Sequence, residues 1–176
     1  AVHPQKVFRA TTLKNNMQTF TFVAPTVADT QALAKVIGEV VKGGEVVELT
    51  SDLGGGKTTF MKGFAVGMGI TEVVQSPTFS ISLIHPAHHD LELHHFDFYR
   101  LNEPGVMRAE LAESLAQNNA VVAIEWGDIV HDILPADRIT VNLTVPEEEK
   151  RVIKITVSQE YIIKALRDYQ QNGHFA

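Results

Sequence analysis

Polar and apolar residues alternate over Gln18–Val23, the period of a half-buried strand. Thr26 then opens a helix, with Asp29 three residues later as a near-capping box. Leu33, Val36, Ile37 and Val40 recur at helical spacing and mark its buried face, and Lys42-Gly43-Gly44 is the expected stop. Glu45–Thr50 is a β-branched run of the kind found in a central parallel strand. A second helix is predicted from Lys57 through Phe60, Phe64 and Met68 to Gly69. Glu72–Gln75, Phe79–Ile84 and Leu91–Tyr99 read as strands, the last alternating Leu91, Leu93 and His95. Arg108–Gln117 reads as a short amphipathic helix and Ala120–Ile124 as another buried strand. Arg138–Val145 and Arg151–Val157 pair as a hairpin, and Tyr161–Tyr169 closes as a helix. This order predicts a three-layer α/β fold, with a mostly parallel central sheet and added antiparallel strands.

Length and composition narrow the picture. A chain of 176 residues can bury one core and is short for two, and no repeat or interdomain linker interrupts it, so residues 17–172 are expected to form a single domain. Residues 1–16 carry Lys6, Arg9 and Lys14 but no acid and no periodicity; they read as a flexible tail ahead of Met17, with too little Arg for an organelle-targeting segment. No apolar run approaches the ~18 residues that span a bilayer. Cysteine is absent, which excludes disulfides and thiolate metal sites and fits a cytoplasmic setting. The formal net charge is −6, with the Lys and Arg scattered apart from a loose group at Lys150, Arg151, Lys154, Lys164 and Arg167. Tight, direct grip on nucleic acid is therefore not expected, since that affinity rests on neutralising phosphates.

The strongest chemical signal is Ser51-Asp52-Leu53-Gly54-Gly55-Gly56-Lys57-Thr58-Thr59, between a predicted strand and a predicted helix. It follows the phosphate-binding pattern G-x-x-x-x-G-K-[S/T]. Small residues let backbone N–H groups turn toward phosphate oxygens, and the helix beginning at Lys57 presents free N–H groups and its positive dipole end to the same anion. Lys57 can reach the β and γ phosphates of ATP, and the Thr58 hydroxyl is a hard oxygen ligand suited to Mg²⁺. One position departs from the pattern: Ser51 stands where the first glycine belongs. Its Cβ is disfavoured if the loop needs positive φ there, and the expectation is weakened nucleotide binding rather than loss of the site. Further on, Val121-Val122-Ala123-Ile124-Glu125 is an apolar strand ending in a carboxylate, the form that holds Mg²⁺ beside such a loop.

Three more segments follow in order: Ser76-Pro77-Thr78-Phe79, His95-Phe96-Asp97-Phe98-Tyr99-Arg100 and Glu125-Trp126-Gly127-Asp128. Together with Asp52–Thr59 they resemble the small bacterial TsaE (YjeE-like) ATPases, which assist threonylcarbamoylation of adenosine in tRNA. The resemblance covers residues 19–165. It implies a P-loop NTPase fold, ATP and Mg²⁺ as cofactors, weak intrinsic hydrolysis, and work in a complex with TsaD-like and TsaB-like proteins, through which tRNA is met indirectly. ATP turnover would reset that complex rather than drive the transfer. Asp128, where the family often carries Glu, is a minor departure.

Roles can be set against plainer readings. Ser76 and Thr78 flank Pro77 as a candidate switch segment facing the γ-phosphate side, or as an ordinary turn. Asp97 is a candidate to orient the attacking water or support Mg²⁺, and Glu125 can exchange roles with it. Arg100 either neutralises transition-state charge or makes a surface ion pair. Trp126 is a candidate to cover the nucleotide or touch a partner, although a single Trp is more often core, and Tyr99 is a candidate switch or partner-contact residue. His85, His88, His89, His94 and His95, with Asp90 and Asp97, form a cluster whose spacing is not that of a metal site; apart from His95, they are expected in an exposed turn. The competing functional readings are a P-loop kinase of a small acceptor, which lacks a visible Arg-rich lid here, and a nucleotide-dependent binding module without useful turnover.

Overall fold

The computed structural model describes residues 16–77 and 81–172. Seven strands form one sheet: β1 (Gln18–Ala24), β2 (Val46–Thr50), β3 (Ser82–Pro86), β4 (Glu92–Asp97), β5 (Ala120–Glu125), β6 (Ile139–Thr144) and β7 (Arg151–Val157). Their spatial order is β1-β7-β6-β2-β5-β4-β3. The central run β6-β2-β5-β4 is parallel, while β7, β1 and β3 are antiparallel to their neighbours. Four α-helices complete the layers: α1 (Val27–Gly38), α2 (Lys57–Gly67), α3 (Met107–Leu115) and α4 (Glu160–Gln171). None of the helices described is long and apolar enough to cross a membrane.

The two faces of the sheet carry separate apolar clusters. One joins α1, α2 and α4 to Leu49, Leu93, Val121, Ala123, Val141 and Ile153; the other joins α3 and the 3₁₀ segment Gly127–Ile133 to Phe96, Val122 and Ile124. β5 feeds both clusters alternately, so it reads as the unbroken apolar run of a doubly covered parallel strand. By the same alternation His95, Asp97 and Glu125 fall on the α2 face, with Leu93, Val121 and Ala123.

Local chemistry accounts for most boundaries. Thr26 Oγ1 accepts from Asp29 N at 3.2 Å while the Asp29 carboxylate accepts from Thr26 N at 3.0 Å, a complete capping box for α1. α1 stops at Gly38, short of the expected Lys42–Gly44. The N–H groups of Lys42 and Gly43 instead donate to the buried Glu45 carboxylate, each at 2.8 Å, which turns the chain into β2. Glu72–Gln75 is a correction: it is an extended loop, not a strand. Only Val74 of the four is buried, and none of the four pairs with a strand of the sheet. The strand expected over Phe79–Ile84 begins at Ser82 and runs on to Pro86. The tail expected for residues 1–16 falls, apart from Asn16, outside the described residues.

Candidate functional site

β2 ends at Thr50, and residues 51–56 turn sharply into α2. Gly56 is the N-cap in the left-handed region (φ 102°), which admits glycine with least strain. Gly55 is required for a different reason: a Cβ there would lie 2.4 Å from the Ser51 side chain. Ser51 itself is not among the described residues with positive φ, so the condition that would make its Cβ costly is absent. Its hydroxyl donates to the Asp52 carbonyl and accepts from Lys57 Nζ, both at 2.8 Å. Asp52 is exposed and shapes the turn through its carbonyl, which also accepts from Gly55 N at 2.9 Å.

Lys57 is buried, with Nζ 4.5 Å from the centroid of the Trp126 ring. α2 has no side-chain cap and no acid in its first turn, leaving its first N–H groups for an anion. The loop is braced from outside by a residue that motif reading missed as a site residue: Arg151 Nε donates to the Gly55 carbonyl at 2.9 Å. Arg151 lies 96 positions away, at the start of β7, and nothing in the linear pattern ties it to the loop.

The opposite wall comes from the ends of β4 and β5, whose parallel register sets Asp97 beside Glu125. Asp97 Oδ2 accepts from Ser76 Oγ at 2.5 Å, and its Oδ1 accepts from Tyr99 N at 3.0 Å. Glu125 is buried, and its Oε1 lies 2.9 Å from His95 Nε2. Trp126 takes a left-handed conformation (φ 57°) directly after the strand, and its ring meets Tyr99 with centroids 5.0 Å apart. The result is a cleft of about 310 Å³ lined by residues 53–59, Ser76, Asp97, Tyr99, Glu125 and Trp126.

Of the expected site residues, Leu53, Gly54, Gly55, Gly56, Lys57, Thr58 and Thr59 are thus brought together with Ser76, Asp97, Tyr99, Glu125 and Trp126. Arg100 is exposed and lines a neighbouring depression with Ser76, Pro77 and Ile81 instead. Thr78 lies outside the described residues. Trp126 is half-buried against the second core cluster while also lining the cleft. The donor set fits a magnesium nucleotide: a glycine cradle with no room for a Cβ at 55, the Lys57 ammonium, the Thr58 hydroxyl, and two carboxylates on adjacent strands.

The histidines separate. His88 and His89 lie exposed in the turn, as expected, but His85 and His94 are buried, correcting their assignment to an exposed turn. His94 points to the α3 side, where Ser114 Oγ is 2.8 Å from Nδ1 and Glu92 is 3.0 Å from Nε2. Strand alternation sends adjacent side chains to opposite faces, which disperses a cluster that looks continuous in sequence. Among the described residues, no three His, Asp or Glu side chains are placed to share a metal ion.

Comparison with known proteins places the chain among named relatives. The family model for threonylcarbamoyl adenosine biosynthesis protein TsaE matches residues 24–153. A Bacillus subtilis protein named tRNA threonylcarbamoyladenosine biosynthesis protein TsaE is 36% identical over 131 residues, covering 73% of this chain and 79% of the relative. Its namesake from Treponema pallidum is 35% identical over 133 residues, covering 76% and 97%. The crystal structure of Bacillus subtilis YdiB superposes with a TM-score of 0.71 at 28% identity, covering 89% of this chain and 97% of that one.

Proposed function

The chain belongs to the TsaE family, and from that membership we propose that it binds Mg²⁺-ATP in the cleft over residues 53–59, hydrolyses it slowly, and serves as the accessory ATPase of tRNA threonylcarbamoyladenosine formation. The observation that carries this reading is the pairing of Asp97 with Glu125 in one cleft with Lys57 and Thr58. The loop N–H groups and Lys57 bind the phosphate chain, and Thr58 with Glu125 holds the metal. Bound there, Mg²⁺ would neutralise charge on the β and γ phosphates. Asp97 orients the attacking water as a hydrogen-bond acceptor, and Ser76 and Tyr99 N fix the direction of its carboxylate. The segment ending in Ser76 is thereby tied to the reacting end of the nucleotide and forms a switch.

Tyr99 at about half exposure and Leu53 at 72% leave apolar surface at the rim of the cleft, suited to a protein partner. The partners proposed are TsaD-like and TsaB-like proteins, working in the cytoplasm, with tRNA engaged through them. The test is phosphate release from Mg²⁺-ATP by wild type and Lys57→Ala, alone and with a TsaB–TsaD-type complex. Turnover that rises with the complex and vanishes in Lys57→Ala is the expected result. ATP binding without turnover under any condition would leave a nucleotide-dependent binding module, and no binding would overturn the proposal.

A further inference from the structure

β4 carries two adjacent buried histidines that are partnered very differently. On His94 both ring nitrogens have partners, Ser114 and Glu92. His95 is fully buried and has one: Nε2 lies 2.9 Å from Glu125 Oε1, while Nδ1 has no hydrogen bond among the described residues. A buried polar atom without a partner is destabilising, so an apolar side chain at 95 would serve the core better. What His95 provides in return is its single bond to Glu125.

A carboxylate at Glu125 only accepts, so the His95 atom that faces it, Nε2, is the donor. Glu125 is 3% exposed, and Oε1 is taken by His95. Its other oxygen, Oε2, has no hydrogen bond among the described residues, and Glu125 lines the cleft that Thr58 also lines. A Glu carboxylate rotates broadly about its last torsion unless something holds it. His95 sits on the neighbouring strand, in a register fixed by the pairing of His95 with Ala123 and of Asp97 with Glu125. It is therefore anchored by backbone ladders on a rigid parallel sheet.

We propose that His95 is a positioning residue: it locks one oxygen of Glu125 so that the other is presented, pre-oriented, to the metal ion of a bound nucleotide. This rests on the Mg²⁺-ATP reading of the cleft and adds a specific division of labour. Lys57 and the loop set affinity for the nucleotide, while His95 sets how strongly the metal reinforces it.

The experiment measures ATP affinity by calorimetry in excess EDTA and in excess Mg²⁺, together with phosphate release, for wild type, His95→Leu and His95→Gln. Partners that orient metal ligands typically govern about 10–100-fold in metal affinity. In His95→Leu the gain in affinity on adding Mg²⁺ is expected to shrink by roughly 10-fold or more and turnover to fall with it, while affinity in EDTA stays within about 2-fold. His95→Gln keeps an N–H donor and should recover most of the gain. Equal loss in both conditions, or no difference between Leu and Gln, overturns the proposal by showing a role in packing alone. The wild type gives a check that needs no variant: ¹⁵N shifts of the His95 ring should report a proton on Nε2, and an Nε2 without one would overturn the proposal. A wild type that binds no ATP in either condition sinks the nucleotide reading itself. A wild type that binds normally beside an unchanged His95→Leu sinks only the role of His95.

Discussion

Glu45 and Glu125 are both buried carboxylates on the central parallel strands or their immediate approach, at opposite ends of the sheet. Glu45 precedes β2 and is saturated: Lys42 N, Gly43 N and the Tyr161 hydroxyl all donate to it. Glu48, within β2, is likewise matched by Arg138 Nε at 2.6 Å. Glu125, at the C-terminal end of β5, has one histidine donor and an oxygen left over among the described residues. Asp97 beside it is held on both oxygens, by Ser76 Oγ and Tyr99 N, yet still lines the cleft. A satisfied buried carboxylate organises the fold. One left partly unsatisfied in a cleft, next to a lysine and a helix N-terminus, can take a ligand.

Four measurements sharpen or break this contrast. The largest effect is expected from Arg138→Met, which strands Glu48 in the interior and should cost about 3–5 kcal/mol in urea unfolding. The double variant with Glu48→Gln should recover much of that; failure to do so would mean the loss comes from something other than the stranded charge. Next is Glu125→Gln, which weakens the carboxylate proposed to hold the metal and is expected to slow phosphate release about 10–100-fold with the unfolding midpoint little changed. Equal turnover in Glu125→Gln and wild type would erase the distinction between the two ends of the sheet. Glu45→Gln should do the reverse, sparing turnover and lowering stability.

Third, Tyr161→Phe removes one donor to Glu45 and should cost about 1 kcal/mol. Burial, followed by the hydrogen bond to Glu45, raises the Tyr161 pKa above its ordinary 10.0. The folded protein therefore holds this proton more tightly than the unfolded chain. That stabilisation is complete below the ordinary value of 10.0 and is lost as pH rises through the folded one. Thermal melts between about pH 9 and about pH 11, a window bracketing the ordinary tyrosine value, should show a flatter alkaline decline in the Phe variant.

The smallest effect belongs to Arg108→Ala at the surface. The Asp132 carboxyl is held below its ordinary 3.8 by the Arg108 hydrogen bond. Any contribution is present above that value and lost as pH falls through the folded one, so the variant should differ from wild type above it, only slightly, and converge with it at lower pH. A marked difference near neutral pH would mean this exposed pair matters more than its solvation allows.

Sequence patterning reached far into this molecule because its signals are local. The capping box at Thr26 and Asp29, the apolar runs of β2 and β5, and the glycine turn before Lys57 each depend on residues within a few positions. Motif order also identified the carboxylates and aromatic residues of the cleft before their positions were known. The failures share a cause. Glu72–Gln75 has strand-forming residues but no neighbour to pair with, and the histidine run looked continuous until alternation sent His94 and His95 to opposite faces.

What the linear order determined by itself is the glycine-rich turn ahead of Lys57, the parallel core strands and the residue types carried at their ends. Backbone geometry and apolar periodicity act within one or two turns of chain, and the residue types state them directly. Tertiary structure alone decided that Arg151 braces Gly55, that Ser76 latches onto Asp97, and that His95 orients Glu125. Each joins residues 21 to 96 positions apart, set together by strand register and the packing of two cores, and no local preference encodes a contact across that distance.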